Sequence, residues 1–196
     1  MSGNQRSIPN AITSVGPSLA VFNGRLFAAW KGGGSDQSIY FASFDGSNWT
    51  LPTLFPGVGT SHGPAIISAF GTLLAAWKGI EGDSGIYYST FDGRGWASQK
   101  GIEHAATAVG PSLVVMGRVF AAWRGAGADD QLYWSSYDGG PRWTGQTPLL
   151  NARSAEGASL AAVNGWLFAC WFSPSLLGWG CGFPRPLSLA AGFPGP

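Results

Sequence analysis

Short apolar runs alternate with tight polar breaks along the whole chain, and none keeps a helical period. In the first stretch, Ser18–Phe22 is an apolar run closed by Asn23-Gly24, a hairpin signal because both residues tolerate positive φ. Arg25–Lys31 follows, almost continuously apolar and ending in Trp30. Gly32-Gly33-Gly34-Ser35 breaks it as a loop. Ser38–Phe44 reads as a third strand and Asp45-Gly46 as a second tight turn. A short fourth strand is expected at 49–51, opened by Trp49 and stopped by Pro52. The pattern predicts four antiparallel strands in one meander, apolar on both faces.

The meander recurs. Thr13, Thr60, Thr107 and Ser154 keep a step of 47 residues, as do Trp30 and Trp77, and Trp49, Trp96 and Trp143. A fixed period of this length signals stacked supersecondary units. The copies are 13–59, 60–106 and 107–153, with a partial copy at 154–171. The third copy loses a residue near Met116 and regains one near Pro141, both in expected hairpin turns, where length changes cost least. A repeated four-stranded meander is the blade of a β-propeller. The expected fold is all-β, a partial β-propeller of about three and a half four-stranded antiparallel blades. Small residues at the start of each first strand suit the crowded axis.

The ends depart from the pattern. Ile8-Pro9-Asn10-Ala11-Ile12 aligns with Phe55-Pro56-Gly57-Val58-Gly59, so the chain is expected to enter at the tail of a blade. After Trp171 the motif stops, and 172–196 reads as an irregular Gly/Pro-rich tail, either an arm over a sheet edge or an out-of-frame ending. An arc of this size is expected to expose apolar blade edges through which copies could self-associate.

Charged residues make up only 11% and the net charge is +1, so no basic stripe marks a nucleic-acid partner. The polar start lacks a signal peptide's apolar core and no run suits a membrane helix, which gives a cytoplasmic expectation by default and no membrane partner. Cys170 stands where Ala29, Ala76 and Ala122 stand in the other copies, the place of a small buried hydrophobe. His62 aligns with Val15 and Val109, and His104 with Gly57. Neither histidine recurs, and no metal or cofactor is expected.

Few polar residues recur. Lys31, Lys78 and Arg124 follow the second-strand Trp, and Asp36, Asp83 and Asp129 lie six residues after it. Tyr40, Tyr87 and Tyr133 lie close behind. One reading is a repeated ion pair that pins the long loop. The other is a ligand site at one mouth of the blades, where charge meets hydroxyls beside an aromatic face. Asp45, Asp92 and Asp138 read as turn residues bonding their own backbone.

Ser43-Phe44-Asp45-Gly46-Ser47-Asn48-Trp49 resembles the Asp-box turn of sialidase-type propellers, one residue shorter, and Thr90 to Trp96 has the same short form. The whole unit, with Gly-Pro-Ser-Leu-Ala, Asn-Gly, Ala-Ala-Trp-Lys-Gly and Phe-Asp-Gly, looks like the tandem blades of microbial lectin-like propellers. That resemblance implies glycan binding with one shallow site per blade or blade junction. Repeated weak sites gain by avidity, and no catalysis is expected from the residues themselves. A sialidase-like hydrolase would need non-repeating arginines, a Tyr nucleophile and an acid that this chain's repeated pattern does not assemble. The alternative is a protein-interaction scaffold or a truncated fragment without ligand. Burial of the second-strand Trp side chains between blades favours that alternative, and an open pocket around them favours sugar.

Overall fold

The computed structural model describes residues 5–173 and 178–182. Every regular element among them is a strand. β1 (Ser18–Phe22), β2 (Arg25–Lys31), β3 (Ser38–Phe44) and β4 (Thr53–Gly59) form the first antiparallel sheet, in chain order. β5 (Ala65–Ala69), β6 (Thr72–Lys78), β7 (Gly85–Phe91) and β8 (Lys100–Ala106) form the second. β9 (Ser112–Met116), β10 (Arg118–Arg124), β11 (Gln131–Tyr137) and β12 (Thr147–Arg153) form the third. β13 (Ser159–Val163), β14 (Trp166–Ser173) and β15 (Gly178–Gly182) form the last. The first strands β1, β5, β9 and β13 neighbour one another in that order, so the sheets fan out as consecutive blades of a partial β-propeller.

Blade packing explains the apolar runs. β2 buries every residue from Phe27 to Lys31, because one face meets the next blade and the other meets what precedes it. Phe22, Phe27, Ala29 and Phe55 of the first blade pack against Ile66, Leu73, Trp77 and Phe91 of the second. Leu74, Tyr88, Ile102 and Ala105 of the second pack against Val119, Trp123 and Trp143 of the third. In each junction the outer strand of one blade covers the central Trp of its neighbour. Ile8 and Ala11 do the same for Trp30, as the alignment of this segment with Phe55 and Val58 implies.

Two expectations are corrected. The fourth strand does not lie at 49–51. Trp49 makes a single bridge to Phe44, Trp96 one to Phe91, and the outer strand begins only at Thr53 or Lys100. The Asp turn occupies the nearer residues, and a register shift lets β3 advance from Ser38 to Tyr40 while β4 runs back from Gly59 to Leu54. Pro56 is tolerated there because β4 is an edge strand. The tail expected to be irregular from 172 instead continues the last blade, for β14 reaches Ser173 and β15 pairs with it. Gly178–Gly182 holds no proline, so the Gly/Pro-rich composition of the tail does not bar this segment from pairing. The remainder of 172–196 lies outside the described residues. Cys170 is only partly buried and faces Cys181 across β14 and β15, and the two thiols are unbridged.

Candidate functional site

The strand ends that carry the recurring polar residues are built alike in three blades. After β2 the chain turns back through residues 32–37, closed by Gly32 N–H to Ser38 O at 2.9 Å and Asp36 N–H to Gly33 O at 3.1 Å. The second blade repeats this with Gly79 to Gly85 and Asp83 to Ile80, the third with Gly125 to Gln131 and Asp129 to Ala126. The Asp carboxylate then folds over its own loop. Asp36 Oδ1 accepts the Ser38 N–H at 2.9 Å and Oδ2 accepts the Tyr40 hydroxyl at 3.0 Å. Asp83 takes Gly85 N–H at 2.8 Å and Tyr87 at 2.9 Å, and Asp129 takes Gln131 N–H and Tyr133, each at 3.0 Å. Gly32, Gly79 and Gly125 are required beneath, because a Cβ at each would run into that carboxylate.

The ionisation of these groups follows from the geometry. The Ser38 backbone N–H, then its side chain and the Tyr40 hydroxyl, hold Asp36 below the usual carboxylate range. The Asp hydrogen bond raises Tyr40, Tyr87 and Tyr133 above an ordinary phenol. In the Asp-Gly turns, Asp45 is lowered by the Asn48 and Ser47 N–H groups, and Asp92 by those of Gly95 and Arg94. Those carboxylates cap their own turns, as Asp45 Oδ1 does for Ser47 and Asn48 at 2.8 Å.

The Lys–Asp ion pair does not form. Among the described residues no ion pair joins Lys31 to Asp36, Lys78 to Asp83 or Arg124 to Asp129. Lys31 Nζ instead meets the main-chain oxygens of Gly32, Gly34 and Asp36 at 3.0–3.2 Å and Ser14 Oγ at 3.1 Å. Lys78 Nζ takes Ser61 Oγ at 2.9 Å and Asp83 O at 2.8 Å. Arg124 reaches Gly127 O at 3.2 Å. The cation caps loop carbonyls while the carboxylate caps N–H and phenol groups, so the two pin the loop from opposite sides.

The predicted residues therefore divide between two surfaces. Asp36 and Tyr40 line a pocket of about 240 Å³ with Trp30, Gly33, Ile12 and Pro52. Tyr40 stacks on Trp30 at 6.2 Å and 19°. Tyr87 lies on Trp77 at 6.5 Å, with both Tyr rings half-buried. Lys31 and Lys78 line a different cleft of about 540 Å³ between the first two blades, with Ser14, Ser61, Gln37 and His62. Ser14, Ser61 and Gln37 are not among the sequence candidates, and His62 is set aside there as non-recurring. Ser14 and Ser61 do keep the repeat step, directly after the recurring Thr, but give way to Ala108 in the third blade. Trp30, Trp77 and Trp123 are at most 2% exposed and serve as core. Among the described residues no three His, Cys, Asp or Glu side chains gather as a metal cage.

No protein-family model matches the chain, and no curated protein matches it. Solved structures do. The fungal lectin of Aleuria aurantia, described as a six-bladed β-propeller that recognises fucose, superposes with a TM-score of 0.63 over 87% of this chain at 15% identity. An α-L-arabinofuranosidase of Clostridium thermocellum gives 0.58 over 90% at 16% identity, covering 69% of the enzyme. The Bacteroides ovatus xyloglucan PUL protein GH43B gives 0.56 over 82% at 12%. The chain spans 62% of the lectin's length and 36% of the Bacteroides protein's. The likeness is one of fold, and the fold is a propeller arc.

Proposed function

We propose that this chain is a non-catalytic, glycan-binding propeller segment whose weak sites are the Asp–Tyr pairs at the blade ends. One observation carries the reading. Three blades present the same half-exposed phenol hydrogen-bonded to a carboxylate, at 3.0, 2.9 and 3.0 Å, at equivalent places on the blade ends. A Tyr face suits the C–H side of a sugar ring, and the carboxylate's remaining lone pairs suit its hydroxyls. In the first blade the pair opens into a pocket beside Trp30. The shared fold with a fucose-recognising lectin supports this reading. Single sites of this kind bind at about millimolar, or about −4 kcal/mol, and repetition adds avidity.

A second reading, a scaffold without ligand, is favoured by the burial of Trp30, Trp77 and Trp123 and of Lys31 and Lys78. A glycan array separates them. The triple variant Asp36→Asn, Asp83→Asn, Asp129→Asn keeps the turn-capping oxygen but removes the charge. Its retention on the glycans bound by wild type should fall more than tenfold while its circular dichroism stays unchanged. A wild-type chain that retains no glycan supports the scaffold, and a folded variant that binds as before moves the site elsewhere.

A further inference from the structure

The larger cleft holds two buried cations, while the carboxylate that lines it, Glu81, is exposed. Lys31 and Lys78 occupy equivalent positions on adjacent blades and are only 6% and 8% exposed. None of the ion pairs among the described residues involves either. Buried charge is ordinarily paired, and two like charges side by side add repulsion to desolvation. The blades differ in how they compensate. Lys31 Nζ has four oxygens within reach, whereas Lys78 Nζ has two acceptors, Ser61 Oγ and Asp83 O, for three N–H donors. Gln37 adds to the donor side. Its Oε1 is committed to the Glu81 N–H at 2.6 Å, which leaves its NH₂ group for the cleft.

His62 completes the wall. One ring nitrogen meets Ser61 Oγ at 3.1 Å. Burial first, and then the Lys78 and Lys31 charges, push its pKa down, with Glu156 from the last blade opposing. The ring therefore senses the local field. Glu81 is exposed at the rim, where water screens it. The third blade carries Ala108 and Arg124 in place of the serine and lysine, so the arrangement is confined to the first junction.

We propose that this cleft binds an oxyanion, a carboxylate or sulfate group, seated between the Lys31 and Lys78 ammonium groups and the Gln37 amide. A space of about 540 Å³ also admits a sugar-sized body behind the anion. The site shares no charged group with the Asp–Tyr surfaces, and it stands or falls apart from them.

The test follows the imidazole resonances by NMR while the intact chain is titrated with D-glucuronate, D-glucose and sodium sulfate at constant ionic strength. His104, exposed on β8, is the internal control. Glucuronate or sulfate should move the His62 signal saturably and raise its pKa, with His104 unmoved, and glucose should not. Sulfate activity marks the bare oxyanion as sufficient. Glucuronate activity with silent sulfate marks an acidic sugar as the occupant. Lys78→Gln should weaken binding at least tenfold. If Lys78→Gln fails to fold, the wild-type contrast of the two anions with glucose decides. The proposal is overturned if neither anion moves His62, if glucose acts like glucuronate, or if folded Lys78→Gln binds as wild type does.

Discussion

At the scale of single residues, the recurring glycine after the second strand explains more than the lysine beside it. Gly79 is buried and its φ is ordinary, so its role is space rather than backbone freedom. A Cβ there would displace the Asp83 carboxylate from the Gly85 N–H and the Tyr87 hydroxyl. Each bond contributes about 1 kcal/mol, so Gly79→Ala should destabilise the chain by about 2 kcal/mol. In an Asp83→Gly background the same substitution should cost little, because the carboxylate and the Cβ that a Gly79 methyl would strike are both gone. Urea denaturation of the four-protein cycle checks this, and additive effects would refute the coupling. A related exchange appears across the blades. Gly33 faces Ile12, while at the equivalent place Gly59 faces Ile80, so one isoleucine fills the gap from either side.

At the scale of elements, the outer strand is where sequence and structure part. Its position was misread because Trp49 and Trp96 keep the repeat step and look strand-like. Yet they close the Asp turn by single bridges. The missing signal was conformational. Gly57, His104 and Asn151 keep the repeat step and all have left-handed φ, near +60°, as Asn10 does ahead of the first blade. Each marks the register shift in its strand. The Lys–Asp pairing was misread for a related reason, since spacing shows which residues share a loop but not which atoms of it they cap. His104 is the least suited of the four to this conformation, and its side chain is exposed. His104→Gly should therefore stabilise by about 0.5–1 kcal/mol, net of the entropy glycine adds to the unfolded chain. Asn151→Gly should change little, because asparagine already tolerates the region. Thermal unfolding of both variants checks this, and equal effects would refute the strain argument.

At the scale of the whole molecule, stability is handed from blade to blade. Each central Trp is sealed by the outer strand of the preceding blade, so the first blade depends on the segment ahead of β1. That dependence singles out Ile8, which packs against Trp30 with Ala11, Tyr40 and Trp49, from Ile12, which is 73% exposed. On the faces where no further blade packs among the described residues, Leu19 and Val21 stand out from β1, and Val163 and Trp166 from the last sheet, all exposed. In a stacked array the neighbours of a damaged unit lose only their shared interface. Ile8→Asp should cost about 1–2 kcal/mol, part of the burial free energy of an isoleucine. It should speed hydrogen exchange throughout β2 and β3 while β10 and β11 keep their protection. Ile12→Asp should leave all four strands as protected as before. If the two variants behave alike, or if β10 and β11 loosen with β2, the arc folds as one cooperative body and the segment ahead of β1 is no seal.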